Sequence, residues 1–149
     1  MELVLWRHAD AEDGTPDSER RLTAKGVKQA KRMAKWLKAR LPEDTEILVS
    51  PAKRALQTVR ALTADFRVVT EIGTSGSADA LLSAIDWRDR KACTLLVVGH
   101  QPTLGETAAL LLTGKKEPWQ LKKGAIIWLA RPDHSQQIHL RAAISPDLL

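Results

Sequence analysis

The stretch that most constrains the fold of this chain is Thr94–Val98, TLLVV, in which four consecutive aliphatic residues follow a single threonine. Without polar alternation, such a run suits a strand covered on both faces, as in a parallel sheet flanked by helices. The surrounding sequence should then alternate short strands with helices, and it does. Leu3–Trp6 is a second apolar run, followed by a polar loop over Arg7–Leu22. A helix is predicted from Thr23 to about Leu41, where Pro42 stops it, with Val27, Ala30, Ala34, Leu37 and Leu41 on its apolar face. Glu46–Val49 is predicted as a strand. Ser50-Pro51 then reads as a hydroxyl cap with proline at the first helical position. That helix carries Ala52, Ala55, Leu56, Val59 and Leu62 as its stripe. A short strand over Arg67–Thr70, a turn-rich loop over Gly73–Ser77 and a helix over Asp79–Trp87 lead to Thr94–Val98. After Gly99-His100-Gln101-Pro102 comes a helix from Thr103 to about Leu112. Beyond a basic loop, Gly114–Gly124, two strands are predicted, Ala125–Ala130 and Ile138–Ile144. They are joined by a turn at Pro132-Asp133 as an antiparallel edge hairpin. The expected architecture is a three-layer α/β/α sandwich with a mostly parallel sheet, one domain spanning residues 1–149.

Composition excludes several function classes. No apolar run approaches the ~20 residues of a membrane span. The N-terminal apolar stretch is too short for a signal-peptide core and follows the acidic Glu2. A single cysteine, Cys93, forbids an internal disulfide and a cysteine-rich zinc site, which points to a reducing cytoplasm. The net charge of +5 favours anionic partners without choosing among them. Part of it, Lys25, Lys28, Arg32, Lys35 and Lys38, recurs at helical spacing as a solvated face. With 4% aromatic residues and no tyrosine, the interleaved aromatic–basic pattern of single-strand binding is missing, so no nucleic-acid partner is expected.

Ligands of open α/β sheets bind beyond the carboxyl ends of the parallel strands. The first strand ends on Arg7-His8, and the second ends on Ser50 and feeds a helix bearing Arg54 near its start. The Thr94–Val98 strand ends on Gly99-His100. Two histidines and two arginines therefore converge on one sheet edge. Arginine forks match phosphate or carboxylate oxygens, and a helix N-terminus adds positive potential. An imidazole beside them is a competent nucleophile for phosphoryl transfer, and a second imidazole can stabilise charge. A metal site is the rival reading for two histidines, but zinc wants three or four convergent ligands and the arginines would repel the ion.

Four ordered segments, LWRHADAE, SERRLTAKG, SPAKRALQT and VVGHQPTLGE, resemble the histidine phosphatase (phosphoglycerate-mutase-like) superfamily, and RRLTAKG with the short length resembles its small SixA-type branch. The resemblance covers Leu3 to about Leu112. It implies a metal-independent phosphatase without cofactor. His8 would become transiently phosphorylated, Arg7 and Arg54 would bind the phosphoryl oxygens, and His100 would contact the same group. Arg20 would lie near the pocket, with the adjacent Arg21 able to replace it, while Ser50 would cap its helix with a secondary contact to the site. Ala9 stands where the signature has glycine, so the backbone there need not be left-handed. Larger members carry an acidic proton donor in an insertion this chain lacks. Of Glu71, Asp79 and Asp86 in the corresponding stretch, Glu71 is the best candidate acid.

A weakly held phospho-imidazole needs less help to leave than an alkoxide, which favours phosphohistidine on a signalling protein as substrate. The alternatives are a phosphatase for a small phosphorylated metabolite and a non-catalytic binder of phosphate or nucleic acid. A mutase would call for a more enclosed pocket, and a monomer is slightly favoured. His134 and His139 read as structural or solvated, Cys93 as an unreactive strand residue, and most tryptophans as core. Trp119, among the lysines of the 114–124 loop, marks a candidate docking surface for an acidic partner.

Overall fold

The computed structural model describes residues 1–91, 93–132 and 135–149. Along the chain run β1 (Glu2–Arg7), α1 (Ala24–Lys38), β2 (Glu46–Val49), α2 (Lys53–Arg60) and β3 (Arg67–Val68). They are followed by α3 (Ala78–Ala84), β4 (Thr94–Gly99), α4 (Thr103–Thr113), β5 (Ile126–Ala130) and β6 (His139–Ile144). The strands form one sheet ordered β3-β2-β4-β1-β5-β6. β4 is buried at every residue and pairs in parallel with both β1 and β2, which is why its sequence tolerates no alternation. β2 and β3 are also parallel, while β5 pairs antiparallel with both β1 and β6. The edge hairpin is thus as predicted, although its Pro132-Asp133 turn and His134 fall partly or wholly outside the described residues.

Side-chain alternation along the strands divides the core into two layers. Leu3, Leu5, Leu95 and Val97 pack with Leu81 and Ile85 around α3 and with Leu104 and Ala108 of α4. Val4, Trp6, Leu96 and Val98 pack with Met33, Ala34 and Leu37 of α1 and with Ala55 and Val59 of α2. This is the three-layer sandwich the sequence predicts. Trp6, Trp87 and Trp128 are core residues.

Several boundaries differ from expectation for local reasons. Val27 is exposed, because α1 turns Gly26, Ala30, Met33, Ala34 and Leu37 inward. Gly26 packs against the Asp10 main chain, where no larger residue fits. Thr23 caps this helix, its Oγ1 accepting from the Gly26 N–H (3.0 Å). β3 stops at Val68, opposite Val49, because β2 ends there, and Thr70–Ile72 forms a 3-10 turn instead. α3 ends at Ala84, just before Asp86 adopts a left-handed backbone (φ 53°). The Ser50-Pro51 cap is corrected too. α2 begins at Lys53, and the Ser50 hydroxyl accepts from the Ala52 N–H (3.1 Å) in a turn preceding the helix.

The Gly26 contact yields a stability prediction. A Cβ there would lie 2.0 Å from the Asp10 carbonyl oxygen. Gly26→Ala should lose about 2 kcal/mol in urea unfolding, the clash outweighing alanine's better helix propensity of about 1 kcal/mol. An unchanged or raised urea midpoint would contradict that packing.

Candidate active site

β1 delivers Arg7 to the carboxyl edge of the sheet, and the His8 N–H continues its register by donating to the Gly99 carbonyl (3.0 Å). The His8 carbonyl accepts from the Gly124 N–H (3.0 Å), and the Ala9 N–H donates to the Thr58 hydroxyl (3.0 Å). The backbone around His8 is thereby held from three directions. His8 Nδ1 lies 2.7 Å from the Ala9 carbonyl oxygen, which can only accept, so Nδ1 carries the hydrogen. Nε2 is left with its lone pair, and Arg54 Nε donates toward it at 3.3 Å.

His100, following β4, stands with its ring centroid 5.2 Å from that of His8. Its Nε2 is 2.6 Å from Ser50 Oγ. His8, His100 and Arg54 are all buried. Arg7 Nη1 donates to the Leu121 carbonyl (2.7 Å). Two buried polar atoms here, Arg7 Nε and His100 Nδ1, have no partner among the described residues. Each such orphan costs roughly 1–3 kcal/mol unless a ligand or water completes it.

The rest of the Arg54 fork meets Asp17. Nη1 donates to the Asp17 carbonyl (2.8 Å) and Nη2 to its carboxylate (3.1 Å). Arg20 reaches the same carboxylate through Nη1 (3.1 Å) and donates Nε to the Glu12 carbonyl (2.7 Å). Arg20 is therefore joined to Arg54 through Asp17, whereas Arg21 is exposed. Hydrogen bonds from Arg20 and then Arg54 hold the Asp17 carboxyl below its usual range. Asp17 and Thr58 were not picked out from sequence. Asp17 lies three residues before Arg20, an ion-pair spacing on a helical turn, and Thr58 lies four after Arg54, where its hydroxyl reaches the Arg54 carbonyl (2.7 Å).

Burial, more than any neighbouring charge, lowers the His8 pKa to about 3, with His100, Arg54 and Arg7 adding to the effect. Burial followed by Arg54 lowers that of His100 to about 4. Both imidazoles are neutral at pH 7. The unfolded chain takes up protons near pH 6.5 that the folded chain refuses until about pH 3–4, so stability should fall with pH across that window. Unfolding midpoints measured from pH 7 to pH 4 should decline, and His8→Asn should flatten the decline.

Other expected roles fare differently. Glu71 is exposed, its carboxylate accepting from the Thr70 hydroxyl (3.1 Å), and no hydrogen bond joins it to the cluster among the described residues. Asp79 pairs with Lys116, and Asp86 sits at the turn ending α3. Lys122 and Lys123 of the basic loop pair with Asp147 and Asp10. Lys116 is also paired, so three lysines of the loop meet carboxylates from outside it. Its backbone supports the cluster, through Leu121 on Arg7 and Gly124 on His8. Trp119 is partly buried, and its carbonyl accepts from Gln101 (2.7 Å). His139 is exposed on β6, and Cys93 is partly buried beside Met1. No three His, Cys, Asp or Glu side chains are grouped to hold a metal among the described residues.

Residues 3–74 match the family model described as histidine phosphatase superfamily (branch 1). The chain is 34% identical over 128 residues to the phosphohistidine phosphatase SixA of Escherichia coli, covering 79% of this chain and 78% of that one. An uncharacterized protein of Picosynechococcus is 36% identical over 139 residues, covering 87% and 84%. Among solved structures, protein histidine phosphatase SixA complexed with tungstate superposes with a TM-score of 0.85 at 28% identity, covering 99% of both chains.

Proposed function

Because this chain belongs to the histidine phosphatase superfamily (branch 1), alongside SixA-like phosphatases, we propose that it hydrolyses phosphohistidine on a protein through a phospho-His8 intermediate. The observation that carries the reading is a pair of buried nitrogens without a partner among the described residues, Arg7 Nε on the residue before a neutral His8 and His100 Nδ1 on a ring 5.2 Å from that of His8 by centroid. A tetrahedral oxyanion supplies the acceptors such a cluster lacks, and the SixA relative was solved with tungstate, an oxyanion of that shape.

In the first step the His8 Nε2 lone pair attacks phosphorus while the bond from phosphorus to the substrate nitrogen breaks. The departing nitrogen keeps the electron pair and takes a proton from water. Water then attacks phospho-His8, returning the pair to Nε2 and releasing inorganic phosphate and a proton. Arg7, Arg54 and His100 hold the equatorial oxygens, with Arg20 behind Arg54 through Asp17. No acid is required of Glu71, since an imidazole leaves more readily than an alkoxide. The link between β3 and β4 is short, a 3-10 turn and α3, which suits a substrate presented on a protein surface. A cytoplasmic setting accords with the lone cysteine.

Turnover on a phosphohistidine-bearing protein should exceed that on a panel of sugar and glycerate phosphates. A marked preference for one metabolite would reassign the substrate to the small-molecule class. Activity should also survive chelation: EDTA treatment followed by a hydrolysis assay should leave the rate unchanged. Loss restored by added metal would overturn the metal-independent route.

A further inference from the structure

Ser50 closes β2 and is fully buried, its N–H donating to the Val98 carbonyl (3.0 Å) so that its position is fixed against β4. Its hydroxyl makes two contacts. Oγ accepts from the Ala52 N–H at 3.1 Å and lies 2.6 Å from His100 Nε2. Either partner of that short contact can be the donor. If His100 donated through Nε2, the buried hydroxyl hydrogen would need another acceptor, and Ser50 Oγ has none among the described residues. Nδ1 would then be a bare lone pair, turned against any anion brought into the cluster. If Ser50 donates, the hydroxyl is satisfied as donor and acceptor together, and the ring hydrogen must sit on Nδ1.

That nitrogen is the buried, unpartnered atom of His100. An N–H without an acceptor, on a ring whose centroid lies 5.2 Å from that of His8, is completed by an incoming oxyanion. We infer that Ser50 is a positioning residue that fixes His100 as its Nδ1–H tautomer, so that His100 meets the phosphoryl group as a hydrogen-bond donor. The inference rests on the phosphatase reading above for its consequence, though not for the tautomer itself. It also gives the Ser-Pro that opens SPAKRALQT a chemical reason in place of helix capping. A main-chain turn orients the hydroxyl, and the hydroxyl orients the imidazole.

The test begins with the free, 15N-labelled chain. Long-range proton–nitrogen correlation at pH 7 should show His100 with a protonated Nδ1 and an unprotonated Nε2. Ser50→Ala should lose that single tautomer and lower kcat by about 10–100-fold, with a smaller effect on KM, because the donor is misplaced mainly at the transition state. Ser50→Thr, which keeps a hydroxyl, should restore most of the loss and the Nδ1–H signature. A protonated Nε2 in the unsubstituted chain overturns the inference, and this measurement does not depend on any variant folding. A wild-type kcat in Ser50→Ala also overturns it. The spectrum needs no substrate, so the two readings fail separately. The expected tautomer with no hydrolysis of any phosphodonor would sink the phosphatase reading while upholding the control of His100 by Ser50. Active hydrolysis with the opposite tautomer would sink the inference alone.

Discussion

His8→Ala should abolish hydrolysis and with it any covalent phosphoenzyme. The surroundings of His8 leave one nitrogen for the chemistry, since Nδ1 is committed to the Ala9 carbonyl while Nε2 keeps an unprotonated lone pair, held in the free chain only by a long 3.3 Å bond from Arg54 Nε. His100 does not replace it, because its Nε2 is engaged by Ser50. The expected loss is at least ~10⁴-fold, the scale on which covalent routes collapse when the nucleophile is removed. Intact-protein mass spectrometry after rapid acid-free quenching should show one added phosphoryl group in the unsubstituted chain and none in the variant. Near-normal turnover in His8→Ala would sink the mechanism.

Arg54→Ala is the second large effect, expected at about 10³-fold or more in kcat/KM, since removal of a single oxyanion donor already costs about 10²–10³. This side chain does three things from one place. It donates to His8 Nε2, it supplies the fork that now holds Asp17, and its charge helps keep both imidazoles neutral. Removing it should raise the pKa of His8 and His100 toward 6.5, so the acid limb of the pH–rate profile should move upward. Arg54→Lys keeps the charge and loses the fork, so it should recover the pH profile better than the rate. Equal recovery of both would mean that charge alone, without forked geometry, is what the site uses.

The two variants probe residues that sequence placed well, and the reason is positional. His8, His100 and Arg54 all sit within a few residues of a strand's carboxyl end, and a parallel sheet leaves those ends on one edge. Arg20 was legible only as a neighbour, because its link to the cluster passes through Asp17 on a separate 3-10 turn, Asp17–Glu19. The supports were less legible still. Leu121 and Gly124 act through main-chain groups, which no side-chain pattern reveals, in a loop whose lysines drew attention instead. Val27 was misplaced because the helical period allowed two neighbouring faces, and the close approach of the Asp10 main chain to Gly26 chose between them.

What the sequence determined by itself was the alternation of apolar strands and amphipathic helices, hence the layered sheet and the edge on which its chemistry collects. Hydrophobic period is local, and burial enforces it wherever the chain folds. What only the tertiary structure decided was the state of each ring nitrogen, the partner of each guanidinium N–H and the entry of Asp17 and Ser50 into the site. Apart from the His8 bond to the neighbouring Ala9 carbonyl and the Arg20 contacts with Glu12 and Asp17, those depend on contacts between residues tens of positions apart, where a few tenths of an ångström separate a hydrogen bond from none.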